Sequence, residues 1–553
     1  MQAGKSIETS GRAVRDALAH KLGGVKVLAD AGVVRPVRPD KLVGVVKTLK
    51  QWGRGPASGY IVSALLCPER TAIVDERGSL TFRELDRRTS SLANALAAAG
   101  VREGDGVGIM CRNHRGFVEA TVATAKLGAD VLYLNTAFAG PQLAEVVERE
   151  GPRALIYDEE FAGLLEQAGE GRVRFVAWHD GDAGAGSDPT LDELIAAGSD
   201  RLPDVPGRVG RTVILTSGTT GSPKGANRSS PQSLDPAISL LSKIPLERGQ
   251  TTHIAAPLFH SWGFAHFTIG LMLNSTLVLR RRFDPEASLA AIAQSRADSL
   301  VVVPVMMQRI LDLPAETRRR YDCSSLSIVA ASGSALPGDL ATEWMDEYGD
   351  TLYNLYGSTE VAWATIASPA EMRAAPGTAG TPPRGTVVRL YDEQGKPVPD
   401  GRTGRIFVGN EFLCEGYTGG GTKDEIDGLM ATGDVGRFDD GGRLFVEGRD
   451  DEMIVSGGEN VFPKEVEDLL ARHDAILEAA AIGVSDAEFG QRLLAFVVPK
   501  PGVEIGEADL KAYVKANLAR YKVPREIRFL EQLPRNATGK VVKRELAETA
   551  PGA

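Results

Sequence analysis

The sequence predicts an α/β protein. It should have a large N-terminal domain of layered parallel sheets with helices, a β-rich subdomain within it, and a small α+β C-terminal domain. Three observations carry this expectation. Between Ala72 and Val361, short apolar runs alternate with amphipathic stretches, the pattern of strand–helix units in a parallel sheet covered on both faces. Residues 386–447 lose the helical period and alternate in short runs such as VVRLYD, GRIFVG and GRLFVEG, which suits strands. The charged turn Arg449-Asp450-Asp451-Glu452 then leads into a compact tail of mixed helix and strand. At 553 residues the chain is also longer than one core usually organises.

The elements follow in order. Residues 1–60 form a basic extension with eleven Lys/Arg against four Asp/Glu. Within it, residues 41–50 place Leu42, Val45, Val46 and Leu49 on one helical face, with Lys41, Lys47 and Lys50 outside it. That pattern suits either a helix on a membrane surface or one packed on the body of the protein, and packing is the commoner outcome. Residues 61–449 make the large domain. TAIVDERGSLTF reads as a hairpin, then a helix beginning near Thr81 with Glu84 placed for a capping box. DGVGIM (105–110), DVLYLN (130–135), ALIYD (154–158) and RFVAW (174–178) read as strands, with a helix from GFVEATVATAKLG between the first two. HIAAPLFHSWGFAHFTIGLML (253–273) starts as a strand and continues as an apolar helix. VVVP (301–304) is a strand before a helix through Met306–Leu313, and LSIVAASGSALP (326–337) is a strand and glycine turn into another helix. LYNLYGSTEV (352–361) supplies a strand and a polar elbow. In the tail, 450–553, VEDLLARH and DLKAYVKANL read as helices, AAAIGV and RLLAFVVP as strands.

Composition narrows the class of function. Apolar content of 43% and charged content of 25% describe an ordinary globular protein. A net charge of −10 argues against nucleic acid as a partner, although the extension alone carries a positive balance that suits an anionic surface. Apolar runs such as Val301–Val305 are too short to span a bilayer, and Lys5, Glu8, Arg12, Arg15 and Asp16 interrupt any signal-peptide core. Cys67, Cys111, Cys323 and Cys414 lie far apart, without metal spacing or a disulfide framework. The expected location is the cytoplasm, with peripheral contact at the inner face of the membrane left open to residues 41–50.

The stretch that organises the chemistry is TVILTSGTTGSPKGANR, residues 212–228. A short buried strand, Thr212–Leu215, runs into ten residues with almost no bulk: Thr216, Ser217, Gly218, Thr219, Thr220, Gly221, Ser222, Pro223, Lys224 and Gly225. Glycines let backbone N–H groups turn toward a phosphate, hydroxyls add donors, and Lys224 adds charge. The spacing is not that of a Walker loop, because Lys224 follows the second glycine by three residues.

TSGTTGSPKG resembles the signature of the adenylate-forming superfamily of acyl-CoA synthetases, luciferases and peptide-synthetase adenylation domains. Four further stretches agree in order: PLFHSWG (257–263), YNLYGSTE (353–360), TGD (432–434) with GRDD (448–451), and PRNATGK (534–540). Within the superfamily the chain looks most like medium- and long-chain fatty-acid–CoA ligases of actinobacteria. The resemblance implies catalytic roles for Lys540, Glu360, Thr216 and His260. It places ATP on the loop 216–221 and Lys224, adenine between Gly333-Ser334-Ala335 and Tyr356 with Asn354 at the base edge, and Gly357, Ser358 and Thr359 beside the phosphates. Asp434 and Arg449 would hold the ribose, and Glu360 and Thr219 would hold Mg2+. The resemblance also makes the C-terminal domain mobile about a hinge at Asp451. After rotation Ser456, Gly457, Gly458 and Glu459 would line the coenzyme A tunnel as Lys540 leaves. His260, Trp262, Gly263, Phe264, Val303, Met306 and Met307 would form the acyl pocket.

Two of these assignments have plain structural rivals. Glu360 could be a glutamate at a helix N-terminus favoured by the dipole, and Met306 and Met307 could be ordinary helix packing. The segment before TGD departs from the family pattern, with Gly428-Leu429-Met430 where an aromatic is usual. The resulting expectation is an AMP-forming fatty-acyl-CoA synthetase using ATP, Mg2+ and coenzyme A, with a homodimer compatible. The alternatives are transfer to a carrier protein, an aryl or other acid as substrate, and a catalytically silent acyl- or nucleotide-binding protein.

Overall fold

The computed structural model describes residues 21–181, 188–216, 224–226, 233–418, 420–450, 454–456, 459–486, 490–518, 522–536 and 539–549. Two parallel sheets dominate the large domain. The first has eight strands, in spatial order Thr365–Ala367, Leu352–Tyr356, Ile328–Ala331, Ser299–Val302, Thr251–Ile254, Thr276–Leu279, Thr71–Asp75 and Gly78–Thr81. All neighbours run parallel except the two outermost strands. The second has six: Val173–Trp178, Ala154–Asp158, Gly106–Met110, Asp130–Tyr133, Thr212–Thr216 and Lys224–Ala226, with only the last pair antiparallel. β-Branched strands alternating with helices give this arrangement because each face of a parallel sheet must be covered. The helices Phe82–Ala98 and Arg115–Lys126 do so within one continuous core that holds residues of both sheets, among them Ile73, Val107, Ile109 and Leu277. The first of these helices starts as the sequence implies: Thr81 Oγ1 accepts from the Glu84 N–H, and the Glu84 carboxylate accepts from the Thr81 N–H.

Residues 387–449 fold as an antiparallel sheet built from Val387–Tyr391, Gly404–Gly409, Glu425–Ile426, Leu429–Phe438 and Leu444–Arg449. The Gly428 departure has a local cause. Asp427 and Gly428 both take positive φ, 53° and 75°, which closes a two-residue hairpin between Glu425–Ile426 and Leu429–Phe438. The C-terminal domain has its own five-stranded sheet and core, with helices Pro463–Ala471 and Glu507–Asn517 packed on it.

The N-terminal helices are part of the body. Pro56–Leu66 buries Tyr60 against Phe82 and Phe267. Pro39–Trp52 packs its Thr48 and Trp52 inward and brings Gly44 against Leu65. The apolar face picked out in the sequence stays largely outside: Leu42, Val46 and Leu49 are 50%, 58% and 40% exposed, and Val43 beside them is 68% exposed. Among the described residues no helix is long and apolar enough to cross a membrane.

Candidate active site

The parallel strands share a direction, so the loops after their carboxyl ends converge on one crevice, the usual place for a ligand in such sheets. Ala256 and Pro257 follow one strand, Val303 the next, then Ser332 and Gly333, then Gly357, and all border a cavity of about 1870 Å³. That exceeds the roughly 300–1,000 Å³ typical of a single small-molecule pocket, so two ligand moieties can sit in line.

One side of the cavity is polar and ordered by the backbone. Asn354 and Tyr356 alternate on one strand and therefore share a face. The Tyr356 hydroxyl donates to Asp434 Oδ2 at 2.6 Å, and Arg449 Nη1 donates to Asp434 Oδ1 at 3.2 Å. Asp434 and Arg449 lie directly opposite on neighbouring antiparallel strands, which explains their fifteen-residue separation. Burial pushes the Asp434 carboxyl up, while Arg449, the Tyr356 hydroxyl and Lys540 pull it back toward ionisation. Asn354 Oδ1 is buried without a hydrogen-bond partner, an acceptor available to the edge of a base. Gly333 has φ of 96°, and an added Cβ would stand 3.2 Å from Val303 Cγ1, so a flat ligand can lie close to this backbone.

Glu360 sits in a turn after the strand Leu352–Tyr356, not at a helix N-terminus, so the dipole explanation does not apply. The loop folds back tightly: an added Cβ on Gly357 would meet the Ala362 carbonyl at 2.3 Å. Glu360 Oε1 accepts from the Tyr417 hydroxyl at 2.7 Å, and its carbonyl accepts from the Cys414 N–H. Ser358 and Thr359 border the cavity beside it. Tyr417 and Thr418 were not singled out in the sequence, yet they brace two motifs at once. Tyr417 bridges to Ala226, Thr418 N–H donates to the Gly225 carbonyl, and Gly225 N–H donates to Thr418 Oγ1 at 3.0 Å. No motif marks them, since their importance comes only from tertiary contact with the hairpin that follows the phosphate loop.

Of that loop, Ser217, Gly218, Thr219, Thr220 and Gly221 lie outside the described residues, and Thr216 and Lys224 are described only as paired backbone. Asp451, Gly457 and Gly458 also lie outside them, while Ser456 and Glu459 pair across a hairpin of the C-terminal sheet.

The other side of the cavity is apolar. His260 immediately precedes the helix Ser261–Met272, with Nε2 buried and unpartnered, and burial holds its imidazole near pKa 4 and hence neutral. Trp262 donates its Nε1–H to the Val302 carbonyl at 3.1 Å and packs against His266. An added Cβ on Gly263 would meet the Pro257 carbonyl at 2.3 Å, so glycine is needed for the helix to start here. Phe264 and Val303 reach the cavity as expected. Met306 and Met307 do not line it. They point into the core, and the helix Pro304–Leu311 presents Val305 and Gln308 to the cavity instead.

Lys540 closes the site from the C-terminal domain. The turn that carries it is held by the Asn536 N–H on the Lys540 carbonyl and the Lys540 N–H on Asn536 Oδ1, both 2.9 Å. Gly539, with φ of 77°, touches the large domain so closely that a Cβ would lie 2.2 Å from Val305 Cγ1. Among the described residues, none from 454–461 borders the cavity.

The sequence profile of the AMP-binding enzymes matches residues 63–418, and that of their C-terminal domain matches 465–540. The chain belongs to the AMP-binding enzyme family. A feruloyl-CoA synthase of Amycolatopsis sp is 34% identical over 500 residues, covering 89% of this chain and 98% of that protein. A 2-succinylbenzoate–CoA ligase of Geobacillus kaustophilus is 34% identical over 493 residues, covering 88% and 96%. A solved anthranilate CoA ligase in complex with anthranoyl-AMP superposes with a TM-score of 0.79 at 26% identity, covering 89% and 97%. This member of the family is an AMP-forming acid–CoA ligase that uses ATP and coenzyme A. The acyl groups of these relatives are ring-bearing, so they favour the aryl alternative over the fatty-acid expectation.

A second cluster of chemically capable side chains lies apart from the cavity. Cys111, His114 and Asp158 are fully buried with their ligand atoms within 4.8 Å of one another. His114 Nδ1 accepts from the Gly116 N–H at 3.0 Å, which leaves the ring proton on Nε2, 2.7 Å from Asp158. A metal at Nε2 would need the opposite tautomer. The cluster is therefore a hydrogen-bonded cap for the helix Arg115–Lys126.

Proposed function

We propose that the acid activated here is a ring-bearing carboxylic acid, joined to coenzyme A through an acyl-adenylate. The observation that carries this is the apolar half of the cavity. Neutral His260, Trp262, Phe264, Ala265 and Val303 line it, and the cavity as a whole, about 1870 Å³, has volume for a ring-bearing acid beside a nucleotide. The substrates in the relatives' names point the same way.

In this reading Asp434 accepts the ribose hydroxyls, with Arg449 and Tyr356 holding the carboxylate in place, and Asn354 meets the base edge. Lys540, close enough to bias the Asp434 titration, places its ammonium where the acid's carboxylate meets the α-phosphate. It offsets the negative charge that gathers there during displacement of pyrophosphate. His260, neutral and unpartnered, leaves the carboxylate uncrowded by a second charge and excludes water from the apolar side. Glu360 borders the cavity as a hard oxygen donor steadied by Tyr417, which suits Mg2+. Glu360 and Thr219 would hold that ion, which when bound neutralises phosphate charge. For thioester formation Lys540 must withdraw, with Asp451 as the pivot and Ser456–Glu459 arriving with the thiol.

The test is product mass spectrometry and kcat/KM with ferulate, 2-succinylbenzoate, anthranilate and straight-chain acids. Ring acids should be preferred, and a clear preference for straight chains would overturn the reading. A second reading concerns location. Leu42, Val43, Val46 and Leu49 stay exposed beside Lys47 and Lys50, which supports contact with an anionic membrane surface. Co-sedimentation with vesicles rich in phosphatidylglycerol should be lost in Leu42→Asp/Val46→Asp. Equal sedimentation of the two proteins would remove this role.

A further inference from the structure

The cavity lining includes a second group of residues, from the N-terminal helices and the helix Ser261–Met272, which marks a distal lobe. Its inner wall is the helix Ser261–Met272, through Phe264, Thr268 and Met272. His260 stands at the start of that helix, next to the adenylation site. The eight steps from Phe264 to Met272 carry the wall about 12 Å beyond Phe264 at 1.5 Å per residue. The outer wall is Val62 and Leu66 of the helix Pro56–Leu66, with Val45 and Leu49 of Pro39–Trp52 beside them. Arg35, Arg54 and Arg248 also border the lobe.

The outer wall is held rigidly against the inner one. Tyr60 packs against Phe267, Asn274 Nδ2 donates to Ser63 Oγ at 2.8 Å, and Ser63 Oγ donates to the Leu271 carbonyl at 3.4 Å. Gly59 lies so near Leu271 that a Cβ would stand 3.2 Å from its side chain. The family profile begins at residue 63, so Val45, Leu49 and Val62 lie ahead of it.

We infer that Val45, Leu49, Val62 and Leu66 form the distal wall of the acyl subsite, and that this chain selects acids whose apolar body extends past Phe264. The occupant is the far end of the same acid, because the lobe is continuous with the cavity that holds its carboxylate. The inference rests on the proposed ring-bearing substrate and adds its shape: a ring with an apolar extension. The part of the acid beyond Phe264 is removed from water only if it reaches this lobe, so preference for an extended acid is set here.

Benzoate and 4-octylbenzoate separate the two parts of the cavity. The wild-type enzyme should favour 4-octylbenzoate in kcat/KM by at least about tenfold, the low end of what one methylene contributes in an apolar pocket. Val62→Trp fills the lobe, so it should raise KM for 4-octylbenzoate far more than for benzoate and bring the two acids level. Leu49→Glu acts from the half-exposed helix, where folding is not at risk, and should shift the ratio in the same direction. An unchanged ratio in both variants, or an equal loss with both acids, overturns the inference. A wild-type enzyme that takes unextended ring acids best would also overturn it while leaving the ring reading intact. A wild-type preference for straight chains over both benzoates would overturn the ring reading itself.

Discussion

The two sides of the cavity are built by different means. On the nucleotide side the charged groups are tied to partners: Asp434 faces Arg449 across a strand pair, Tyr356 bonds to Asp434, and Glu360 rests on Tyr417, which leaves the Asn354 Oδ1 open for a ligand. On the acyl side His260 Nε2 has no partner, and the walls are helix faces meeting by apolar contact. A binding site for a constant ligand can be over-determined by hydrogen bonds, since the ligand never changes. A site for a variable acyl group has to be shaped by volume, which changes one methylene at a time.

The contrast is sharpest at Lys540, which belongs to the constant side yet arrives from another domain. Replacing it by Ala should lower adenylate formation by about 10²–10³-fold, the usual effect of deleting one group that stabilises developing charge. Thioester formation from supplied acyl-adenylate should survive. Pyrophosphate release and thioester formation, measured separately, check this, and equal losses in both would remove the assigned role.

Gly539 tests the same docking without touching charge. Ala at this position is strained by the positive φ and collides with Val305. Adenylation should fall by about 10–100-fold, since a small misplacement of a positioned group costs on this order. The thioester step, which needs Lys540 out of the way, should be spared. If Gly539→Ala is as active as wild type in pyrophosphate release, the observed contact is not the productive one.

Asn354→Leu removes the unpartnered acceptor on the nucleotide side. Loss of one hydrogen bond to a neutral base should raise the KM for ATP about tenfold and narrow its preference over GTP. Acid specificity should not move. A change in acid preference at constant ATP affinity would place Asn354 on the wrong side of the comparison.

Legibility in the sequence follows the same division. The capping box at Thr81 and Glu84 was readable because a short motif fixes its own backbone, whereas Asn354, Tyr356, Asp434 and Arg449 were named only through the family resemblance, and their meeting across strands is seen in the fold. The helix Pro304–Leu311 was foreseen as a helix but not in orientation. Successive residues point about 100° apart at 3.6 per turn, so naming Met306 and Met307 in place of Val305 and Gln308 turned the wrong face to the ligand. Tyr417 and Thr418 carry no signal at all until the chain folds against the Lys224–Ala226 strand. The N-terminal segment was set apart as an extension, with packing on the body the favoured outcome for its helix, but its partners were not legible because the contacts of Tyr60 with Phe267 and Ser63 with Asn274 join residues some 200 apart in sequence.

The smallest expected effect concerns the acyl side as a structural element, and it can be read without any substrate. His253 and His266 are buried, on the strand before the helix Ser261–Met272 and within it, and His260 at the helix start has its Nε2 buried; desolvation lowers them to about 4, about 3 and about 4 in that order. An unfolded chain would protonate all three near the ordinary histidine value, about 6.5. Between that value and the folded ones the unfolded state binds more protons, so stability is full above about pH 6.5 and is lost as pH falls toward 4. His266→Phe keeps a ring beside Trp262 and removes one of the three titrations. Its Tm should therefore fall less than that of wild type between pH 7 and pH 5, while the two differ little at pH 8. The nucleotide side contributes in the opposite sense. Asp434 is raised by burial, so its own protonation relieves the folded state as pH drops and partly offsets the histidines. Adding saturating AMP at each pH separates the two: ligand on the nucleotide side should shift both proteins alike, and the difference between wild type and His266→Phe should persist. If the two melting curves track each other across the whole range, the buried histidines are not what makes the acyl side acid-labile.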